Sequence, residues 1–311
     1  RDALLAQPKG TAWVVATGAL TNVALLFATF PEVAEHIQGL SIMGGAIGGG
    51  FTDAPMSRLP GEESRIGNTT PWAEFNIYVR APPYTPQFSC FSRYVATSLF
   101  LLLVKNWLHV GFLTCVEQCD PEASQSIFSN PILAPKTTLI SLDLTHQVLA
   151  SRTVQSRILT GTTDGSSTPT VLRRILHALL TFFAATYDTV FGLSTGPPLH
   201  DPLAVAVLLS NLNPIFAKAN PDKALRFDDK GGERFSVTVV TDGKHGDDAS
   251  LTGQLGRTIA KATTDGRGVA IPRGVDVEKF WDMIINAYSA QTTVMRRGSN
   301  NMSIATMAYL G

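Results

Sequence analysis

The chain has 311 residues, of which 44% are hydrophobic, so it can build one large α/β domain or two small ones around a buried core. Its 25 acidic and 25 basic side chains balance, so no net field favours nucleic acid or an anionic membrane surface. We therefore expect a neutral or small-molecule ligand.

The cysteine content and the first residues of the chain indicate in which cellular compartment the protein is expected. Cys90, Cys115 and Cys119 are too few for a disulfide framework and fit no common zinc spacing. The most apolar window, 95–104, is too short to cross a bilayer. The first residues carry neither an initiator Met nor an apolar signal region, which is typical of the middle of a protein. A reducing, cytoplasmic location is the expectation.

The first predicted elements are two βα units. Thr11–Ala16 is rich in β-formers, and the apolar residues of 20–38, after Thr17-Gly18, fall at helical spacing, which predicts a strand, a turn and a helix. Leu40–Ala46 repeats a buried strand that ends in glycines. This pattern is expected where a parallel sheet presents its carboxyl edge to a ligand.

The later elements continue the α/β pattern. Thr137–Leu149 predicts a strand with a polar turn, 171–185 a helix, and "GPPLHDPLAVAVLL" the start of another helix. "RFSVTVVTDGKHGDDASL" predicts a strand and a polar loop, and "GVDVEKFWDMIINAYSA" an amphipathic helix. Because there is no repeat or long linker, we expect one domain over 1–290, with 291–311 as a tail without predicted structure. The expected fold class is α/β with an open, mostly parallel sheet flanked by helices.

One segment does not fit this pattern. Residues 79–118 carry Pro, aromatic and Leu runs in which neither the strand period nor the helix period is sustained. We interpret this segment as an anomalous insert in the domain.

Three polar side chains cluster just before the insert. Asn68, Glu74 and Asn76 lie within nine positions and offer donors and acceptors for several hydroxyls of one polar ring, such as a sugar. The alternative is a loop whose Asn side chains bond their own backbone and whose Glu is solvated. "NTT" is also a glycosylation sequon, which we set aside because there is no secretory signal.

A second candidate pair is His200 and Asp201, which place a titratable donor beside a hard oxygen ligand. The alternative is that Asp201 only caps a helix and His200 is its surface neighbour. Thr17 could lend its backbone carbonyl to a cation or belong to an ordinary turn. His146 is interpreted as a core or loop histidine with a satisfied hydrogen bond.

Six motifs, taken together and in order, resemble the inosine- and uridine-preferring nucleoside hydrolases, and within them fungal uridine nucleosidase-like proteins. They are "ATGALTNVALL", "IMGGA", "GNTTPWAEFNIY", "CDPEASQSIF", "LDLTHQVL" and "PLHDPLAV". The resemblance implies a Rossmann-like α/β sheet and hydrolysis of the N-glycosidic bond of a ribonucleoside to ribose and free base. It also implies assembly as a dimer or tetramer and, as partner, a small-molecule ribonucleoside rather than nucleic acid or a membrane.

The resemblance also implies roles for single residues. A calcium ion would be held in part by the backbone carbonyl of Thr17 and the carboxylate of Asp201. Asn68, Glu74 and Asn76 would bind the ribose, and His200 would protonate the departing base. Developing charge on the ribose favours nearby carboxylates, and a cation-bound water is easier to deprotonate.

Two departures from the family pattern stand out. The family opens with an Asp-rich motif of the form D-x-D-x-x-x-D-D that supplies most calcium ligands, and this chain begins downstream of it, so we expect impaired activity from the chain as given. Asp242, Asp247 and Asp248 mimic that spacing in what we interpret as a solvated loop. In the family "AEFNIY" continues almost directly into "DPEA", so 79–118 interrupts residues that belong together. Its borders, Val79 and Gln118, are compatible with an unspliced intron; the alternative is a real surface insertion.

Two other functions remain open. A non-catalytic relative could keep the sugar-binding loop and act as a nucleoside sensor or partner subunit. The glycine run "GGAIGGG" also suggests a nucleotide-binding oxidoreductase, but it lacks the G-x-G-x-x-G spacing and a ribose-binding acid.

Overall fold

The computed structural model describes residues 1–78, 120–161, 169–242 and 253–296, with side chains of the last helix as far as 287. The helices are, in chain order, Asp2–Leu5 (α1), Thr21–Thr29 (α2), Pro31–His36 (α3), Phe75–Tyr78 (α4), Pro121–Phe128 (α5), Leu142–Thr145 (α6), Arg152–Thr160 (α7), Val171–Phe191 (α8), Asp201–Ala206 (α9), Pro214–Ala219 (α10) and Val277–Arg296 (α11). The strands are Trp13–Ala16 (β1), Gly39–Met43 (β2), Thr137–Ile140 (β3), Phe227–Asp228 (β4), Phe235–Val239 (β5), Thr258–Ala262 (β6) and Gly274–Val275 (β7).

A three-stranded parallel sheet, in the order β1-β2-β3, forms the centre of the fold. Ser41 of β2 lies beside Val15 of β1 on one side and beside Thr138 of β3 on the other. All of β2 is buried, which is typical of a parallel strand covered on both faces. The predicted α/β fold with a parallel sheet is confirmed.

The hydrophobic core lies on both faces of this sheet. Leu139 belongs to a cluster with side chains of α2, α3, α5 and β5, whereas its neighbour Ile140 belongs to a cluster with side chains of α7, α9 and α11. Successive residues of a strand point to opposite faces, so two adjacent residues can anchor two layers. Burial of each such Leu or Ile contributes about 1.5–3 kcal/mol.

Three helices differ in their bounds from the prediction. The apolar run after Thr17-Gly18 forms two helices rather than one, because Pro31 has no N–H with which to continue α2 and instead begins α3. α8 continues past 185 to Phe191, where Gly192 ends it in a left-handed conformation with φ 66°. α11 continues to Arg296, into the segment for which the sequence predicts no structure, because 291–296 contains no Gly or Pro.

Two antiparallel pairs accompany the parallel sheet. β4 pairs with β7, and β5 pairs with β6. The alternation of buried and exposed residues along β5 matches its predicted strand. β4, β6 and β7 were not predicted, since two of them are only two residues long and all depend on distant partners.

The two segments that flank 79–119 contact each other. The Asp120 N–H donates to the Tyr78 carbonyl at 3.0 Å, and the Ser124 hydroxyl donates to the Ile77 carbonyl at 3.1 Å. Asp120 caps α5 and also accepts from the Thr21 hydroxyl at 2.7 Å. The packing of α4 against α5 therefore brings "AEFNIY" and "DPEA" together in space.

Several sequence interpretations lie outside the described residues: the insert 79–118, the three cysteines, Asp247, Asp248 and the end of the tail. Among the helices that the structure does describe, none combines the length and apolar character needed to cross a membrane.

Candidate active site

The carboxyl edge of the parallel sheet collects three segments. Thr17 follows β1, Gly44-Gly45 follow β2, and the turn Ser141–His146 follows β3. Ligand sites of parallel α/β sheets form at this edge, because the segments that leave neighbouring strands converge there.

Glu74 is the most completely enclosed of the predicted sugar-binding residues, with 2% of its surface exposed. Its Oε2 accepts hydrogen bonds from the N–H groups of Gly45, at 3.0 Å, and Ile77, at 3.2 Å. The pKa of Glu74 is raised to about 7, chiefly by burial; backbone N–H donors oppose the rise, and the Asp201 carboxylate adds a smaller contribution to it. The alternative of a solvated Glu is wrong.

The glycines after β2 make this close approach possible. A Cβ at Gly44 would lie 3.3 Å from Glu74 Oε2 and 3.1 Å from the Ile77 side chain. Gly45 has φ +78°, a conformation that other residues rarely adopt. The "GGA" motif therefore brings the backbone of β2 against a carboxylate.

Asn76 and Asn68 are held differently. Asn76 is buried, and its side-chain NH₂ donates to the Met43 carbonyl at 3.0 Å, which ties α4 to the end of β2. Asn68 accepts from the Phe75 N–H at 2.9 Å with its side-chain oxygen, so it caps the short α4. The alternative in which an Asn side chain bonds the backbone of its own segment is thus observed for the side-chain oxygen of Asn68.

Asp201 begins α9, which packs against β1, β2 and β3. The Ser41 hydroxyl of β2 donates to the Ala204 carbonyl at 2.7 Å and fixes the helix on the sheet. Within the described residues the Asp201 carboxylate has neither a hydrogen bond nor an ion pair, and burial raises its pKa to about 6. The capping alternative for Asp201 is not supported, because its side chain caps no N–H of α9.

His200 lies between α8 and the turn after β3. Its Nε2 is 2.8 Å from the Tyr187 hydroxyl, and its Nδ1 is 2.8 Å from the Thr145 hydroxyl. Burial, and to a smaller extent the neighbouring His146, lowers the pKa of His200 to about 3. The imidazole is therefore neutral at neutral pH, and both of its nitrogens face hydroxyl groups.

His146 is the second histidine of this region, with its ring centroid 5.8 Å from that of His200. Its Nδ1 is 2.7 Å from the Pro55 carbonyl, so the nitrogen carries the proton that it donates. Its Nε2 is buried without a partner among the described residues. The interpretation as a satisfied core histidine is thus correct for one ring nitrogen only.

Sequence reasoning missed Tyr187 and Thr145. Tyr187 is one of several aromatic residues of α8, and nothing in the local pattern distinguishes it. Thr145 belongs to "LDLTHQVL", which the family resemblance singled out as a motif without a role for this residue. Both depend on tertiary packing that places α8 and the turn after β3 on either side of His200.

A calcium ion takes 6–8 oxygen ligands, so we compare the oxygen donors at this edge with that number. Asp201, a carboxylate without a partner among the described residues, fits this role, and Thr17 offers a carbonyl at the end of β1. The described part of the chain contains no group of three or more His, Cys, Asp or Glu side chains arranged to hold a metal. Asp201 and Thr17 could thus supply part of a calcium site, and a full site needs further oxygen ligands.

A family model, described as inosine-uridine preferring nucleoside hydrolase, matches residues 1–81 and 118–282. The chain belongs to this family. The nucleoside hydrolase model passes over 82–117, most of the segment that lacks a regular pattern.

Two curated relatives match the chain over nearly its whole length. A probable ribonucleoside hydrolase of Dictyostelium discoideum is 28% identical over 90% of the chain and 58% of its own length. The uridine nucleosidase of Saccharomyces cerevisiae is 26% identical over 92% of the chain and 63% of its own length. The chain therefore spans about three fifths of the length of these relatives.

Two solved structures share the nucleoside hydrolase fold. A purine-preferring ribonucleoside hydrolase from Gardnerella vaginalis has a TM-score of 0.55 at 22% identity, covering 94% of this chain and 65% of its own. A plant nucleoside hydrolase has a TM-score of 0.52 at 19% identity, covering 93% and 65%. At such identities the likeness establishes the fold.

Proposed function

We propose that the protein hydrolyses the N-glycosidic bond of ribonucleosides of the uridine and inosine type to ribose and free base, in nucleoside salvage or catabolism. The observation that carries the proposal is that Glu74, bonded to the Gly45 N–H after β2, and His200, bonded to Thr145 after β3, both lie at the carboxyl edge of the sheet, with Asp201 next to His200. One end of such a site suits a polyhydroxyl ring and the other a heterocyclic leaving group.

Glu74 and Asn76 would bind the ribose from α4. The NH₂ group of Asn68, whose oxygen is engaged with Phe75, can also donate to a ribose hydroxyl. When the glycosidic bond breaks, positive charge develops on the sugar, and carboxylates held in a buried site stabilise such charge more strongly than water does. Glu74 and Asp201 would supply that stabilisation.

Asp201 and the Thr17 carbonyl would hold a calcium ion together with further oxygen ligands. Bound there, calcium would orient the ribose hydroxyls and lower the pKa of the attacking water. The absence of a partner for Asp201 among the described residues supports this role, since a partly buried carboxylate without a partner is costly.

His200 would assist the departing base as a neutral imidazole. A neutral ring holds one proton, and the hydroxyls of Tyr187 and Thr145 can each donate or accept. His200 would therefore pass its proton to the base by way of the Tyr187 hydroxyl at one nitrogen and take one from the Thr145 hydroxyl at the other. The proton that the attacking water loses would restore the Thr145 hydroxyl, so that the net reaction adds one water across the glycosidic bond. This arrangement moves a proton to the base without a charged histidine in the resting protein.

The test measures free base released from uridine and from inosine by the full-length product, in excess calcium and with a chelator. Release that requires calcium, and that falls in a Glu74→Gln variant, supports the proposal. Nucleoside binding without release in excess calcium would favour the second candidate, a non-catalytic nucleoside-binding relative. If the protein neither binds nucleosides nor releases free base, both the hydrolase proposal and the binding alternative are contradicted.

Several finer points belong to the same proposal. We expect one nucleoside hydrolase domain over 1–290, a small-molecule ribonucleoside as partner rather than nucleic acid or a membrane, a cytoplasmic location, and a dimer or tetramer. Size-exclusion chromatography with light scattering would test the assembly, and an elution as a monomer at micromolar concentration would contradict it.

A further inference from the structure

The loop after β2, Gly44–Gly50, is rich in glycine and is nevertheless held in one position. Gly45, Gly48, Gly49 and Gly50 have φ between +61° and +78°. Glycine loses more backbone entropy on ordering than any other residue, so this loop needs specific contacts to hold one conformation.

Asp143 provides those contacts from the turn after β3. Its side chain is fully buried, and its two oxygens accept from consecutive N–H groups, those of Ile47 and Gly48, each at 2.8 Å. The described residues give it no bond to Lys or Arg, so backbone amides stabilise the carboxylate. Hydrogen bonds to an ionised carboxylate are about twice as strong as neutral ones.

Ile47 and Gly48, the residues bonded to Asp143, lie next to the contact that holds Glu74. Gly45, two residues before Ile47, donates its N–H to Glu74 at 3.0 Å. Its carbonyl accepts from the N–H of Leu142, the neighbour of Asp143, at 2.9 Å. A movement of the loop at 47–48 would therefore change the position of the Gly45 N–H against Glu74.

We propose that Asp143 is a positioning residue: it holds Gly44–Gly50 so that Gly45 presents its N–H to the ribose-binding carboxylate of Glu74. The inference rests on the proposed function, and it adds a residue for which neither the family resemblance nor the candidate site supplied a role. The same turn carries Thr145, which bonds His200. One helical turn, α6, thus connects the sugar-binding end of the site with the end for the base.

The test is the Asp143→Asn substitution in the full chain. The new side-chain amide keeps one acceptor oxygen but sets an NH₂ group against a backbone N–H, so the loop loses one bond and gains a repulsive contact. We expect faster amide hydrogen exchange at Gly45, Ile47 and Gly48. We also expect the KM for uridine to rise about 10-fold or more, with a smaller change in kcat.

Two matched controls separate positioning from loss of stability. Val33→Ala shortens an equally buried side chain of α3, outside the site, so it should lower stability while exchange at the loop and KM stay as in the parent. Ile140→Val lowers stability in the adjacent strand without touching the loop, and KM should again stay unchanged. A KM that follows stability in all three variants would overturn the proposal.

A fourth variant covers the case in which Asp143→Asn does not fold. The Thr52 hydroxyl donates to the Asp143 carbonyl at 2.7 Å from a half-buried position beyond the loop. Thr52→Ala should therefore loosen the same loop and raise KM in the same direction, but less. An unchanged KM in Thr52→Ala, or fast exchange at Ile47 and Gly48 in the parent, would then contradict the proposal.

Hydrogen exchange also keeps this inference separate from the proposed function. If the parent neither binds nor hydrolyses nucleosides, the proposed function fails, while the exchange data still decide whether Asp143 holds the loop at Glu74. If the parent hydrolyses uridine and Asp143→Asn leaves exchange and KM unchanged, the positioning role alone fails.

Discussion

Removal of 79–118 tests whether this segment belongs to the functional domain. The excised chain joins Tyr78 directly to Cys119, so that one residue connects Tyr78 to Asp120. The Asp120 N–H already bonds the Tyr78 carbonyl at 3.0 Å. With one residue between them, this bond becomes the i to i+2 bond of a γ-turn, so the junction can close without moving α4 or α5.

The expected gain in stability comes from loop closure. Each doubling of loop length costs about 0.6 kcal/mol, and roughly five doublings separate a one-residue connection from one that spans 79–119, which gives about 3 kcal/mol. For a domain of this size that corresponds to a rise of about 6–12 °C in melting temperature. The gain has this size when 79–118 contributes no packing of its own.

The assay is thermal unfolding of three chains: the parent, the excised chain and a chain with 79–118 replaced by a Gly/Ser sequence of equal length. We expect the excised chain to melt highest and the other two to melt together. A Gly/Ser chain that melts well below the parent would show that 79–118 makes stabilising contacts and would refute the interruption hypothesis. Transcript sequencing gives an independent answer, because a message that retains these codons would defeat the unspliced-intron interpretation.

Three further predictions concern the site. Burial raises the pKa of Glu74 to about 7 from 4.5, so the stability that its protonated form contributes is present below pH 4.5 and is lost by pH 7, by about 3 kcal/mol. The lowered pKa of His200 changes stability with pH in the opposite direction, so the parent alone is not a test. The test compares the free energy of urea unfolding of the parent with that of Glu74→Gln, in chelator, at pH 4.5 and 7.5. A difference between the two proteins that does not change with pH would contradict the raised pKa of Glu74. His200→Ala should lower kcat by about 100-fold or more while ribose affinity stays similar, with Tyr187→Phe as an intermediate case, and a large loss of affinity would be inconsistent with the role of His200. Asp201→Asn should weaken calcium binding measured by calorimetry by about 10-fold or more, whereas Tyr187→Phe should not; equal effects would argue against Asp201 as a ligand.

The central sheet could be predicted from the sequence because the information there is local. Short runs of β-formers that end at Thr17 and at Gly44-Gly45 indicate buried parallel strands, and these residues do lie at the carboxyl edge. The same local reasoning failed at Pro31, where the apolar period continued while the missing N–H ended the helix. β4, β6 and β7 had no local signal. The pairing of β4 with β7, and of the predicted strand β5 with β6, depends on partners elsewhere in the chain.

At the candidate site, residue identity was easier to predict than environment. The spacing of Glu74 and Asn76 indicated a shared polar site, but only tertiary packing buries Glu74 beneath Gly45 and commits the oxygen of Asn68 to Phe75. The neutral state of His200 likewise follows from its burial, and to a smaller extent from the neighbouring His146, which lower its pKa and which no local pattern indicates.

The glycine run Gly44–Gly50 shows why composition alone would mislead about function. Backbone N–H groups in left-handed and turn conformations form concave sites for anions, which is how glycine-rich loops bind phosphate. Here the Gly45 N–H is bonded to Glu74, and the N–H groups of Ile47 and Gly48 are bonded to Asp143. The anions bound by this loop are thus the protein's own carboxylates, which engage the amides of Gly45, Ile47 and Gly48. This argues against an oxidoreductase and supports a loop whose purpose is to hold Glu74 in place for a neutral, hydroxyl-bearing ligand.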